Sequence, residues 1–189
     1  MQYTMTAMAR DEEPVPVLRS ALVVAVPEAA VVAEPWLERT ALAKPSQGVP
    51  AHVTVLFPFV QAPELDDTLV ASLTALFVRV QPFDFALPAC RRFPGVLYLA
   101  PEPAEPFVTM TEAVVAAYPD CPPYEGAFDS IVPHLTVAEG PPTVLNRAEA
   151  EVRPRLPVRA EAHEILLLEE LEPEPARWHV RDRFPLGAA

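Results

Sequence analysis

The chain has 189 residues, 51% hydrophobic and 21% charged, which gives one globular domain a sizeable core and excludes a disordered or collagen-like class. A formal net charge of −12 has the wrong sign for gripping long nucleic acid through its phosphates, but it tolerates a small or terminal phosphate ester in a local pocket. Two isolated cysteines, Cys90 and Cys121, exclude a disulfide framework and a CxxC zinc site, and without a signal-like stretch or a run long enough to span a bilayer the expectation is a cytoplasmic protein off the membrane.

Residues 1–17 are polar and Pro-punctuated and read as a flexible tail ahead of a single domain over 18–189. A continuous apolar run at 21–26, stopped by Pro27, predicts an interior strand. A helical pattern follows over 28–43, in which Pro35 is expected to start or interrupt the helix. The loop 44–50 leads into the strand 51–57. There His52 and Thr54 share one face, while Val53 and Val55 take the other, because side chains alternate along a strand.

Leu65, Leu69, Leu73, Leu76 and Phe77 predict an amphipathic helix over 65–80. A strand at 82–87 follows, and after the turn Pro94-Gly95 the segment 96–100 pairs back as a hairpin. The order then recurs: strand, helix 105–118, a loop through Cys121 and Gly126, strand 132–138, helix 143–153 and strand 158–169. In the second of these strands His134 and Thr136 share a face against Leu135 and Val137. A last strand at 178–184 closes the chain. The motif histidines lie about eighty residues apart in equivalent places of an internal duplication, with halves over about 20–93 and 95–185. If the two strands lie side by side, two imidazoles and two hydroxyls converge on one site.

These paired His-x-Thr strands, His52-Val-Thr-Val-Leu-Phe-Pro-Phe and Pro133-His-Leu-Thr-Val-Ala, resemble the two-histidine (2H) phosphoesterase superfamily. That group includes 2′-5′ RNA ligase-like proteins and 2′,3′-cyclic phosphodiesterases, and the resemblance runs over about 21–184. It implies an α+β fold that is bilobal, with two pseudo-symmetric halves, antiparallel sheets facing a central cleft and helices outside. His52, Thr54, His134 and Thr136 would line that cleft as the catalytic residues.

The chemistry of the four groups agrees. Hydrolysing a diester phosphate needs a base for the nucleophile and an acid for the leaving alkoxide, and histidine, with a reference pKa of about 6.5, serves as either. The hydroxyls suit the non-bridging oxygens, where charge concentrates in the transition state. By analogy with the family His134 is the base and His52 the acid. Arg91, Tyr98 and Arg181 are further candidates for substrate contacts, whereas His163 and His179 lack a hydroxyl partner and read as structural.

No metal or other cofactor is expected: only Glu139 follows a motif, and HExxH spacing is absent. The expected function is a metal-independent phosphodiesterase for 2′,3′-cyclic phosphate or 2′-5′ phosphodiester substrates. Its partner is a small nucleotide or RNA-end phosphate ester, with no long nucleic acid and no membrane; the oligomeric state is left open, a monomer being compatible with the sequence. The alternatives are a non-catalytic nucleotide-monophosphate binding module and a 2′-5′ RNA ligase or RNA-end processing enzyme.

Overall fold

The computed structural model describes residues 18–40, 47–127 and 130–187, so the tail expected over 1–17 lies outside the described residues. In chain order its elements are β1 (Ser20–Ala25), α1 (Pro27–Thr40), β2 (His52–Leu56), α2 (Asp67–Phe77), β3 (Phe83–Leu87), β4 (Cys90–Phe93) and β5 (Val96–Leu99). Then come α3 (Glu105–Ala117), β6 (Leu135–Glu139), α4 (Pro142–Val152), β7 (Val158–Ala162), β8 (Glu164–Pro173) and β9 (Ala176–Pro185). Among the described residues all strand pairs are antiparallel, in three sheets ordered β2-β1-β8-β9, β4-β5-β6 and β3-β7. Among the described residues no helix is long and apolar enough to cross a membrane.

The duplication survives as an exchange between halves. The pair β1–β2 corresponds to β5–β6, yet β8 of the second half joins β1, β4 of the first half joins β5, and β3 pairs with β7. Helices cross over too, with α1 lying on β6 and α3 on β2. Both motif strands are therefore covered by a helix from the opposite half, over one continuous core that includes Leu22, Val53, Val55, Leu97, Leu135 and Val137.

That core sets the register of the motifs. Val53, Val55, Leu135 and Val137 are each at most 2% exposed. Burying such a side chain contributes roughly 1.5–3 kcal/mol. A one-residue slip would turn them outward and bury His52 and Thr54 in their place, forfeiting several times the cost of any surface change. The polar pairs are thus held on the open face by the apolar pairs behind them.

Three expectations are corrected. Pro35 sits inside α1 rather than at its start or at a break. Its missing N–H leaves the Val31 carbonyl without a helical donor, and Arg155 Nη1 donates to that oxygen at 3.3 Å instead. The single strand expected over 158–169 is two strands in different sheets. Up to Ala162 the chain alternates as a half-buried strand, but Ile165 to Leu168 is buried on both faces and serves as an interior strand beside β1. In the hairpin it is Cys90–Phe93 that pairs back with Val96–Leu99, while Phe83–Leu87 reaches across to β7.

Asp66 caps α2, accepting from the Leu69 amide at 2.8 Å. Thr111 of α3, 2% exposed, donates its hydroxyl to the Val55 carbonyl at 2.8 Å. Because β2 is an edge strand, that carbonyl has no ladder partner on this side. Thr111→Val is expected to lower unfolding free energy by about 1–3 kcal/mol, the cost of orphaning a buried acceptor. Urea denaturation measures it, and an unchanged midpoint would refute the role.

Candidate active site

β2 and β6 are the edge strands of their sheets and lie against each other without pairing. Two edges meeting in this way bring together residues far apart in the chain. His52 and Thr54 pair in register with Ala25 and Val23 of β1, whose small side chains belong to the open face. Thr136 stands opposite Tyr98 of β5, and His134 immediately precedes β6.

The two rings are held alike. His52 Nδ1 is 2.8 Å from the Pro50 carbonyl and His134 Nδ1 is 2.8 Å from the Val132 carbonyl, in each case two residues upstream. A carbonyl only accepts, so each Nδ1 carries its proton and Nε2 is the nitrogen left for chemistry. Burial pushes the His52 pKa below the usual histidine value. The Pro50 bond opposes that shift, and the nearby His134 adds to it. His134 is wedged against Phe93 and Tyr98, at centroid distances of 5.2 and 5.5 Å, and those two rings stack on each other at 4.2 Å. The aromatic pair limits the imidazole's rotation.

Thr54 is oriented from the other side by a turn ahead of β6. The hydroxyls of Tyr124 and Thr54 are hydrogen-bonded, and the Tyr124 amide donates to the Phe57 carbonyl at 2.7 Å. Tyr124 and Glu125 both adopt left-handed backbone, with φ of 49° and 56°. Such conformations cost an L-residue of order 1–3 kcal/mol and persist only where surrounding contacts fix them.

His52, Thr54 and Thr136 line one cavity of about 720 Å³, which extends over Phe57, Trp178 and Arg19. Glu34 and Glu38 of α1 and Glu139 of β6 also border it. Arg19 is bound through Nε and Nη2 to Glu170, at 3.0 and 2.8 Å. The wall at Trp178 depends on Gly48, with φ of +85°: a Cβ there would fall 2.0 Å from the Trp178 carbonyl oxygen. That close approach lets the Gln47 carbonyl accept from the Trp178 amide. Among the described residues no three His, Cys, Asp or Glu side chains gather as a metal-binding group.

Four residues expected at the site, His52, Thr54, His134 and Thr136, are brought together. Tyr98 is buried beside His134 and packs against it. Arg91 stands opposite Tyr98 on the same row, half exposed and 3.8 Å from Glu102. Arg181 is a correction. Trp178 and Val180 of β9 belong to the cavity side, so alternation sets Arg181 on the opposite face, where it donates to the Leu65 carbonyl and, at 3.0 Å, to Glu169. His163 is exposed, and His179 lies 3.5 Å from Glu169 on that same far side. Arg19, Phe57, Tyr124 and Trp178 are site residues that the sequence did not single out. Phe57 stands within the first motif, but the others come from the residue ahead of β1, a turn and the last strand, with no spacing to connect them.

The sequence model of the 2′-5′ RNA ligase superfamily matches residues 25–174. Similar solved structures include E. coli LigT complexed with NADP+, 17% identical with a TM-score of 0.57 over 92% of this chain and 100% of that one. TT0787 of Thermus thermophilus is 22% identical with a TM-score of 0.63 over 90% and 98%. E. coli LigT complexed with 3′-AMP is 16% identical with a TM-score of 0.56 over 92% and 100%. At these identities the likeness is one of fold. No curated protein sequence matches the chain.

Proposed function

Since the chain belongs to the 2′-5′ RNA ligase superfamily, within the two-histidine phosphoesterases, we propose that it is a metal-independent phosphodiesterase acting on 2′,3′-cyclic phosphate ends or 2′-5′-linked small nucleotides. The observation that carries this reading is the matched presentation of His52 and His134. Each ring has Nδ1 tied to a carbonyl two residues back, which leaves two Nε2 atoms on adjoining edge strands to work on one phosphate.

In the reaction, one Nε2 takes a proton from water as its oxygen bonds to phosphorus. The opposite P–O bond breaks, and the other Nε2 protonates the departing alkoxide. Water and a cyclic diester thus become a monoester and a free hydroxyl, with the proton moved from one ring to the other through solvent between turnovers. Thr54 and Thr136 donate to the non-bridging oxygens. Burial favours neutral His52, which suits it to be the base and leaves the acid's part to His134. This order is the reverse of the one the family resemblance implies.

The charge around the cavity supports a diester. Arg19 is already neutralised by Glu170, and Glu34, Glu38 and Glu139 border the same space, a setting better suited to one negative charge than to a polyphosphate. The neighbouring LigT structures hold NADP+ and 3′-AMP, which supports a ligand of nucleotide size.

The test offers 2′,3′-cyclic nucleotides and 2′-5′ dinucleotides to the protein in EDTA. Turnover of at least one is expected, with a bell-shaped dependence of kcat/KM on pH. Protonating the base abolishes activity, so a lowered His52 pKa keeps the enzyme active further into acid, and the acidic limb should fall below about 6.5. Loss of all turnover in EDTA would overturn the metal-independent reading. An acidic limb at or above that value would return the base's role to His134.

A further inference from the structure

Resting on that phosphodiesterase reading, we infer that Arg19 is a stacking platform for a planar base, so that the substrate is a nucleoside phosphate rather than a cyclic phosphate on a bare sugar. Arg19 Cζ lies 5.3 Å from the Phe57 ring centroid and 5.9 Å from that of Trp178. Those rings meet edge to face at 6.2 Å, and Trp178 is only 8% exposed. The aromatic pair therefore backs the guanidinium, while the arginine side chain, 46% exposed, lines the cavity shared with His52 and Thr54.

The manner in which Arg19 is held argues against a phosphate clamp. Nε and Nη2 already face Glu170, so the side-on donor edge is occupied by a carboxylate that also repels a phosphate. The Arg19 amide also donates to Glu170 at 3.2 Å, and the Glu170 amide returns a bond to the Arg19 carbonyl at 2.9 Å. Glu170 also offsets the guanidinium charge, so beyond the Nη1 end what Arg19 offers a ligand is the plane of its guanidinium, and guanidinium planes stack on nucleobases.

Nor does stability explain the arrangement. Glu170 is 1% exposed on a sheet face otherwise built from Ala21, Val23, Leu166 and Leu168. A buried carboxylate there is no more stabilising than an apolar side chain of similar size. It does fix the orientation of Arg19 above the two rings. Phe57 follows Thr54 by three residues, roughly 10 Å of strand, which is about the length of a nucleoside monophosphate and puts the platform within reach of a base whose phosphate sits at Thr54. The cavity of about 720 Å³ also exceeds what a cyclic phosphate on a bare sugar would fill.

The experiment compares adenosine 2′,3′-cyclic phosphate with a base-free 1,4-anhydroribitol 2,3-cyclic phosphate, in the native protein and in Arg19→Lys, which keeps the charge and loses the plane. Native protein should prefer the nucleotide by at least about ten-fold in kcat/KM. Arg19→Lys should raise KM for the nucleotide by a similar factor, and by several-fold more than it raises KM for the base-free substrate. The double variant Arg19→Met/Glu170→Met, which leaves no buried charge unpaired, should behave like Arg19→Lys.

Equal use of both substrates by native protein, or equal losses on both in the variants, would overturn the platform. Calorimetry with adenosine 2′-monophosphate and anhydroribitol 2-phosphate separates this proposal from its premise. A nucleotide preference that disappears in Arg19→Lys upholds the platform even if neither cyclic phosphate is hydrolysed, an outcome that would sink the phosphodiesterase reading alone. Equal affinities for the two monophosphates would overturn the platform whether or not there is turnover.

Discussion

His52→Ala and His134→Ala are each expected to lower kcat on a 2′,3′-cyclic nucleotide by about 10²–10⁴-fold, the range for removing a positioned acid or base. Neither ring belongs to the buried core, and the valines and leucines behind them carry the packing, so both variants should retain the native melting temperature. The two losses part when the leaving group is changed. A p-nitrophenyl phosphodiester releases a phenolate that needs no proton, so removing the acid should then cost far less while removing the base costs as much as before. With His52 as base, the His134 variant recovers on the aryl ester and the His52 variant does not. Recovery of the His52 variant alone would reverse the assignment, and full activity of either variant on the cyclic nucleotide would remove that ring from the mechanism.

The second large effect belongs to the hydroxyls. Thr54→Val and Thr136→Val keep the shape and the strand preference of the residue while deleting one donor. A donor aimed at a developing oxyanion typically contributes about 10²–10³ in kcat. Each substitution should therefore reduce kcat by that order with little change in KM, because the bond strengthens as charge collects on the oxygen. The Thr54 variant also strips Tyr124 of its hydroxyl partner, so it should be the more damaging of the two. Steady-state kinetics beside thermal melts checks this. A fall of less than about three-fold in both variants would mean that the hydroxyls only build strand.

How far the chain could be read without coordinates depends on the range of each interaction. The His-x-Thr pairs were legible because alternation along a strand is local, and the valines beside them declare which face is buried. The turn at Gly95 was legible for the same reason. Pro35 misled, because the bond that compensates for it comes from Arg155 at the far side of the chain. The strand over 158–169 was read as one piece because nothing local marks its division. Its two parts are separated by their partners, β3 and β1. Arg181 lies on a strand that does reach the cavity, but on the face opposite Trp178 and Val180, and which face of β9 meets the cavity is set by its pairing with β8. Tyr124 reaches Thr54 through left-handed backbone at non-glycine positions, which composition does not announce.

By itself the sequence determined that two imidazoles and two hydroxyls stand on the open faces of two buried-backed strands, since period-two alternation and the cost of exposing valine and leucine act within a few residues. Only the tertiary structure decided that those strands meet edge to edge, that His52 is the more enclosed ring, and that Arg19, Phe57 and Trp178 border the same cavity. Those facts depend on which strands exchange between halves, and strand exchange is settled by the joint packing of residues more than a hundred positions apart.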